Sequence, residues 1–290
     1  MFVKGVDIAE FSEEVNWQKM KAEDYQFAYA RVLYGTVRMD NYFHIYWSAL
    51  KEYNITRGAY MFFRPSDDLD TQVRLFAQAV DIEAGDLPPV VDLEYDDTDK
   101  SQWHNLSTPK SIDLAATLLQ AVERTTGYKP VIYANENFWT NQMGNTSRFS
   151  EAGYDLWIAN YNENPNHPNK LFGGWKIHTF HQYIADQKAS FTRNVDLDTF
   201  NGDIDRLKAE TVTEVALTEG RIGPKVKALQ QRLSKLAKNP DHPQPDLDPL
   251  SIDGIFGPNT KKAVIAFQKV NNLVADGSIN LEQVSDTIAA

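Results

Sequence analysis

Two carboxylates stand two residues apart at the end of an apolar run, Pro88-Pro89-Val90-Val91-Asp92-Leu93-Glu94-Tyr95, with Asp96 and Asp97 just beyond. β-Branched residues bounded by proline read as a strand, and near-continuous hydrophobicity as a strand buried on both faces. Alternate residues of a strand share a face, so Val90, Asp92 and Glu94 point one way and Val91 and Leu93 the other. At a rise of ~3.3 Å per residue the two acids lie about 7 Å apart. That is the scale on which two carboxyls can flank a glycosidic bond. A merely solvated strand end, or a cation site, would present the same pair.

The elements that must position these acids alternate in kind. Strand candidates run over 2–8, 27–33, 57–63, 89–94, 130–135, 156–161, 176–184 and 194–200. Helix candidates over 16–24, 42–52, 70–82 and 110–126 separate the first five strands, and Thr108 and Pro109 supply an N-cap and a first-turn proline. After the fifth strand the helices become short or absent. This alternation predicts a parallel sheet, and eight strands in about 200 residues suit a closed β/α barrel. Asp7, Arg31, Tyr60, Asp92, Glu94, Tyr133, Tyr161, Gln182 and Asp196 all fall at or near the C-terminal ends of strand candidates, the rim where such barrels keep their active sites.

The chain has 290 residues, 42% hydrophobic and 12% aromatic, enough for a large core and more than one domain. It has no cysteine, which excludes a disulfide scaffold, thiol catalysis and thiolate metal sites. Of its 29 basic and 40 acidic residues, nine of each fall in 211–290, which leaves 20 and 31 in 1–210. An acidic body without a basic patch argues against nucleic acid and anionic membrane as partners. No apolar run approaches transmembrane length. Residues 2–8 already read as a strand, so no signal peptide is expected at this start. Residues 209–219 read as a linker. Beyond it come helix candidates over 224–236, 259–270 and 281–288, a Pro- and Asp-rich loop over 239–249, and a small core of Leu229, Leu233, Leu236, Val264, Phe267 and Leu273. Asp253-Gly254 and Asp276-Gly277 read as turns, and no internal repeat is evident.

Taken in order, Gly5-Val6-Asp7, Asn16-Trp17, Ala30-Arg31, Gly58-Ala59-Tyr60, Val91-Asp92-Leu93-Glu94, Tyr133, Leu156-Trp157-Ile158-Ala159, Gln182-Tyr183 and Val195-Asp196-Leu197-Asp198 resemble the glycoside hydrolase family 25 muramidases across residues 1 to about 205. The resemblance implies a flattened β/α barrel that cuts the β-1,4 bond after N-acetylmuramic acid in peptidoglycan. It implies Glu94 as general acid, Asp92 orienting the substrate's 2-acetamido group as the attacking nucleophile, and Asp7 and Asp196 completing an acidic floor. Ala9, Met61 and His181 depart from the residues common in that family. The string Gly223, Val226, Leu229-Gln230, Leu233, Asp253-Gly254-Ile255-Phe256-Gly257, Thr260, Ala263-Val264, Phe267-Gln268, Leu273 and Asp276-Gly277 resembles the three-helix peptidoglycan-binding-domain-1 module. The implied division is a catalytic domain over 1–208, a linker over 209–219 and a wall-binding module over 220–290. Together they resemble a phage endolysin, monomeric and held in the host cytoplasm until release.

For that chemistry, crowded carboxylates raise one another's pKa and keep Glu94 protonated near neutral pH, with Asp92 expected ionised. Tyr60, Tyr133 and Tyr161 would offer ring faces and hydroxyls to sugars, with Gln182 beside them. Trp157 reads as a sugar platform or as a buried barrel residue, and Arg31 as an ion-pair partner of the acids or a plain structural salt bridge. The pattern implies no cofactor and no metal, although an acid cluster can hold Ca²⁺ or Mg²⁺. His44, His104, His167, His178 and His242 show no ligand spacing. Two other readings stand beside this one. A chitinase-like barrel would carry a further acid where Val90 stands, and a non-catalytic wall-binding protein would not need Asp92 and Glu94.

Overall fold

The computed structural model describes residues 2–99, 101–238 and 250–286, so the loop expected over 239–249, His242 within it, and the end of the last expected helix lie outside the described residues. The chain falls into two compact units, one of residues 1–72, 84–121 and 128–212, the other of residues 73–83, 122–127 and 213–290.

The first unit carries nine strands: β1 (Val3–Ile8), β2 (Tyr25–Tyr34), β3 (Arg38–Met39), β4 (Thr56–Phe62), β5 (Val90–Asp92), β6 (Val131–Asn135), β7 (Leu156–Ala159), β8 (Phe180–Gln187) and β9 (Val195–Phe200). Their order is β1-β9-β8-β7-β6-β5-β4-β2-β3, and a β1–β2 ladder closes the ring. Eight strands thus form a closed barrel, with β3 a two-residue antiparallel extension of β2. The first seven barrel strands are parallel. The eighth, β9, runs antiparallel to both of its neighbours, which departs from an all-parallel sheet. Only residues 188–194 separate β8 from β9. A parallel return needs a crossover of a dozen or more residues, so the chain must double back. The helices thin out as expected: the helix Thr108–Thr126 precedes β6, whereas no helix lies between β7 and β8.

Phe27, Tyr29, Val90, Val131, Tyr133, Trp157, Phe180 and Phe200 pack as one buried cluster on the strand face that Asp92 shares. Two glycines make room for it. A Cβ on Gly5 would stand 2.2 Å from the Phe27 ring, and one on Gly58 2.1 Å from the Tyr29 ring. Both positions have ordinary backbone angles, so it is close approach that demands glycine here.

The second unit contains the helices Pro224–Ala237, Pro258–Val270 and Leu281–Asp286. Leu229, Leu233, Leu236, Phe256, Val264, Phe267 and Ile279 form its core. Leu273, expected in that core, is 37% exposed because it follows the turn that ends the second helix. One polar lock recurs. The Gln230 amide donates to Asp253 Oδ1 (2.8 Å) and accepts from the Gly254 amide (2.8 Å). Gln268 does the same with Asp276 (3.1 Å) and Gly277 (3.0 Å). Both glycines have positive φ, as an Asp-Gly turn requires.

Gly58→Ala is expected to overpack the barrel against Tyr29, at a cost of about 1–3 kcal/mol. Thermal unfolding checks this: an unchanged melting temperature would show that the ring moves aside freely.

Candidate active site

Strand register assembles the acids. Asp7 on β1 lies directly opposite Asp196 on β9. Across the next ladders Asp198 is paired with Gln182, Ala159 with Gln182, Tyr133 with Trp157, Asp92 with Tyr133, and Arg31 with Tyr60. The strand ends open into a cleft of about 570 Å³ whose lining includes Asp7, Arg31, Tyr60, Asp92, Glu94 and Asp196, with Phe11, Tyr34, Arg38, Arg64, Tyr95 and Asp97 around them.

Gln182 ties one side of the floor together. Its Nε2 donates to Asp7 Oδ2 (2.6 Å) and Asp196 Oδ2 (3.2 Å). Its Oε1 accepts from the Tyr133 hydroxyl (2.8 Å) and the Tyr161 hydroxyl (2.9 Å). Two of the three tyrosine hydroxyls that the sequence offers to sugars, those of Tyr133 and Tyr161, are therefore engaged with Gln182. Tyr161 is 58% exposed and keeps a ring face open to solvent. Tyr60 donates to Asp7 Oδ1 (3.5 Å), and Asn135 to Glu94 Oε2 (3.5 Å).

Two residues sit differently from their first-named roles. Trp157 is 1% exposed and packs edge-to-face against Tyr60 and Tyr133 and tilted against Tyr29, below the cleft. Its Nε1 donates to Asp198 Oδ1 (2.8 Å), so it holds an acid in place and presents no face to a ligand. Arg31 pairs with Asp40 (3.1 Å) and Glu10 (3.4 Å), while its charge still lowers the pKa of Asp7 and Asp92.

Burial is the largest cause of the raised pKa of Asp7, Glu94, Asp196 and Asp92. It pushes Asp7 up to about 6, against hydrogen bonds from Gln182, Asp198 and Tyr60. It pushes Glu94 up to about 8, helped by Asp97 and Asp7 and opposed by Asn135. Asp196 also rises to about 8 through burial and the charge of Asp7. Burial, then Glu94 and Asp7, push Asp92 well above the usual carboxylate range, against the expectation that it stays ionised. Asp92 Oδ1 is buried and receives no hydrogen bond among the described residues. Among those residues no three or more His, Asp or Glu form a set that could hold a metal ion.

Asn135, Glu10 and Asp40 carry no role in the sequence pattern, and Asp198 enters it only as the end of the string Val195-Asp196-Leu197-Asp198. Asp198 was detectable, since it alternates with Asp196 along one strand and so shares its face. Asn135 likewise alternates with Tyr133. Glu10 and Asp40 lie in loops whose approach to Arg31 has no local signature.

A barrel mouth that keeps carboxyls protonated near neutral pH is the equipment of a glycoside hydrolase. Residues 6–190 match the model of glycosyl hydrolases family 25, and residues 222–285 that of a peptidoglycan binding domain. The chain is 32% identical to the Escherichia coli (strain K12) protein YegX over 213 residues, 71% of this chain and 72% of that protein. It is 28% identical to lysozyme M1 of Streptomyces globisporus, over 71% of this chain and 70% of that one. The bacterial lysozyme structure from Streptomyces coelicolor superposes with a TM-score of 0.67 at 26% identity, covering 73% of this chain and 97% of that one. The protein belongs to glycosyl hydrolase family 25. It is a glycoside hydrolase that acts on cell-wall peptidoglycan and carries a peptidoglycan binding domain in its tail.

Each raised carboxyl binds its proton more tightly folded than unfolded, so its stabilisation is complete below its ordinary pKa of 3.8 or 4.5. That stabilisation is lost as pH rises through about 6 for Asp7 and about 8 for Glu94 and Asp196. The melting temperature is expected to fall across this window, and Asp196→Asn to flatten the fall. An Asp196→Asn profile parallel to wild type would show that Asp196 is not desolvated.

Proposed function

We propose that the enzyme hydrolyses the β-1,4 bond between N-acetylmuramic acid and N-acetylglucosamine, with Glu94 as general acid and Asp92 orienting the substrate's acetamido group. The observation that carries this is the pair itself: Asp92 and Glu94 line one cleft, and Glu94 still holds its proton at neutral pH, with a pKa of about 8. Glu94 gives that proton to the glycosidic oxygen as the bond to the anomeric carbon breaks. The acetamido carbonyl oxygen attacks the same carbon and closes a five-membered ring, and Asp92 accepts the amide N–H. Water then opens the ring and returns a proton to Glu94. The unpartnered Oδ1 of Asp92 supports this reading, because a buried carboxyl oxygen without a donor is costly and an amide N–H from the substrate would satisfy it. That donor would also draw Asp92 back toward its ionised form.

The test joins a variant to a product analysis. Glu94→Gln should fold and lose about 10²–10⁴-fold in rate. Borohydride reduction of wild-type digests should yield muramitol by mass spectrometry. Reduced glucosamine ends would make the enzyme a glucosaminidase, and a folded Glu94→Gln within a few-fold of wild type would remove Glu94 from the role of acid.

We further infer that residues 220–290 bind the wall and do not cut it, joined by a linker over 209–219 to a catalytic domain over 1–208, in an enzyme that lyses bacterial walls as an endolysin-like monomer. Tethering raises the local concentration of the cleft at an insoluble substrate and does nothing for a small soluble one. Deleting residues 211–290 should leave cleavage of soluble glycan fragments nearly unchanged and weaken lysis of intact walls. Loss of soluble-fragment activity together with melting temperature would show instead that the tail is part of the barrel's fold.

A further inference from the structure

Asp198 is an acid with no evident task. It is wholly buried on β9, in the lower layer of the site, and lies outside the cleft lining. Trp157 Nε1 donates to its Oδ1 at 2.8 Å. Its Oδ2 is also buried, and no donor among the described residues reaches it. Across the β1–β9 ladder Asp198 lies opposite Gly5 and Asp196 opposite Asp7, so Asp198 and Asp7 are diagonal neighbours, and their carboxyls act on each other as hydrogen-bond partners. Two carboxyls in contact, with no other donor between them, need a proton between them.

Which of the two carries it follows from their other partners. Asp7 accepts from Gln182 (2.6 Å) and from the Tyr60 hydroxyl (3.5 Å), and Arg31 lies near enough to lower its pKa. Those contacts favour a charged Asp7. Asp198 has one neutral donor, the indole, and faces the charges of Asp7 and Asp196. The remaining titratable groups that sense it, Tyr29 and Tyr183, are both held neutral by burial.

We propose that Asp198 is a positioning residue that keeps a proton on Oδ2 and donates it as a hydrogen bond to Asp7, so that Asp7 is ionised and fixed while Glu94 retains its own proton. The proposal rests on the cleft being the catalytic site described above. It gives the acid floor a division of labour. Donors from three strands converge on Asp7: Gln182 from β8, Tyr60 from β4 and Asp198 from β9. Asp7 is thereby the acid with a pKa of about 6, below the pKa of about 8 of Glu94 and Asp196. A fixed negative charge in the floor then faces the positive charge that develops at the anomeric carbon, and a preorganised charge of this kind acts without reorganising during the reaction.

Asparagine is close to an isostere of protonated aspartic acid. In Asp198→Asn the new amide nitrogen could donate to Asp7 while the amide oxygen accepts from Trp157. The experiment therefore compares Asp198→Asn with Asp198→Ala in the full chain, on reducing-end release from peptidoglycan across pH. Asp198→Ala is expected to lower kcat by about 10–10²-fold with little change in KM, the scale of a misplaced catalytic group. Its acid limb of kcat/KM should move to higher pH, because Asp7 loses a donor that favours its charged form. Asp198→Asn is expected to restore most of the rate and the wild-type acid limb. Infrared difference spectra of the wild-type protein should show a protonated-carboxyl stretch that persists above pH 8 and is missing from Asp198→Asn. This last reading does not depend on which bond is cut, and it survives if Glu94→Gln proves active. If Asp198→Asn shifts the acid limb to lower pH, or the infrared spectra of the two proteins match, Asp198 is ionised and the proposal is wrong. Should Asp198→Ala fail to fold, the infrared comparison and the Asp198→Asn profile decide alone.

Discussion

Removing carboxyl groups from water is the constraint on which this site depends. A charge at a barrel mouth loses hydration faster than a few neighbours can replace it, and the arginines that line the cleft, Arg31, Arg38 and Arg64, form their ion pairs with Asp40, Glu10 and Asp96. Arg31, the cation nearest the floor, directs its hydrogen bonds to Asp40 and Glu10. The acids are left to neutral donors: two tyrosines through Gln182, Tyr60, Asn135 and an indole. Neutral donors ease ionisation without cancelling charge, so the acids spread over a range of affinities for protons. An acid chemistry at neutral pH needs such a spread.

The closing strand makes this possible. β9 enters the ring antiparallel between β8 and β1, and it places two acids on one face against Asp7 and Gln182. A parallel last strand would need a long crossover and would present its C-terminal end to the rim. The reversed strand instead brings its beginning there, so Asp196 reaches the cleft from the N-terminal end of β9 and not from a C-terminal end as expected, with Asp198 one layer deeper. Trp157 and Tyr133, on consecutive strands and paired in register, fill that layer. Tyr133 and Trp157 belong to the barrel core and at the same time hydrogen-bond Gln182 and Asp198, so a change in packing below is felt as a change in electrostatics above. The same acids hold their protons at the expense of stability at high pH, a trade common where function needs buried charge.

The second unit stabilises its turns by a different device. Its Gln–Asp-Gly locks each satisfy a side-chain amide with one carboxylate, one backbone amide and one carbonyl. A helical module with a short core gains order from such fully paired polar groups. The two Asp-Gly steps are legible in sequence as turns, but that each is clamped by a glutamine from a preceding helix is not. Those glutamines precede their turns by 23 and 8 residues.

What the sequence determined by itself was everything carried by neighbours along the chain. Alternation of strand and helix, the two-residue spacing of Asp92 and Glu94, and the gathering of polar residues at strand ends are local patterns. They suffice for a barrel with acids on its rim. The three-dimensional pairing decided the rest: the direction of β9, the burial of Trp157 beneath the cleft, the partners of Arg31, the exposure of Leu273 and the bond from Trp157 to Asp198. The reason is physical. A strand's periodicity says which face a side chain takes, but its neighbour on that face is set by register with strands up to nearly 200 residues away in the chain. Whether a carboxyl is charged depends on those neighbours and on the water they exclude, and neither is determined until the barrel closes.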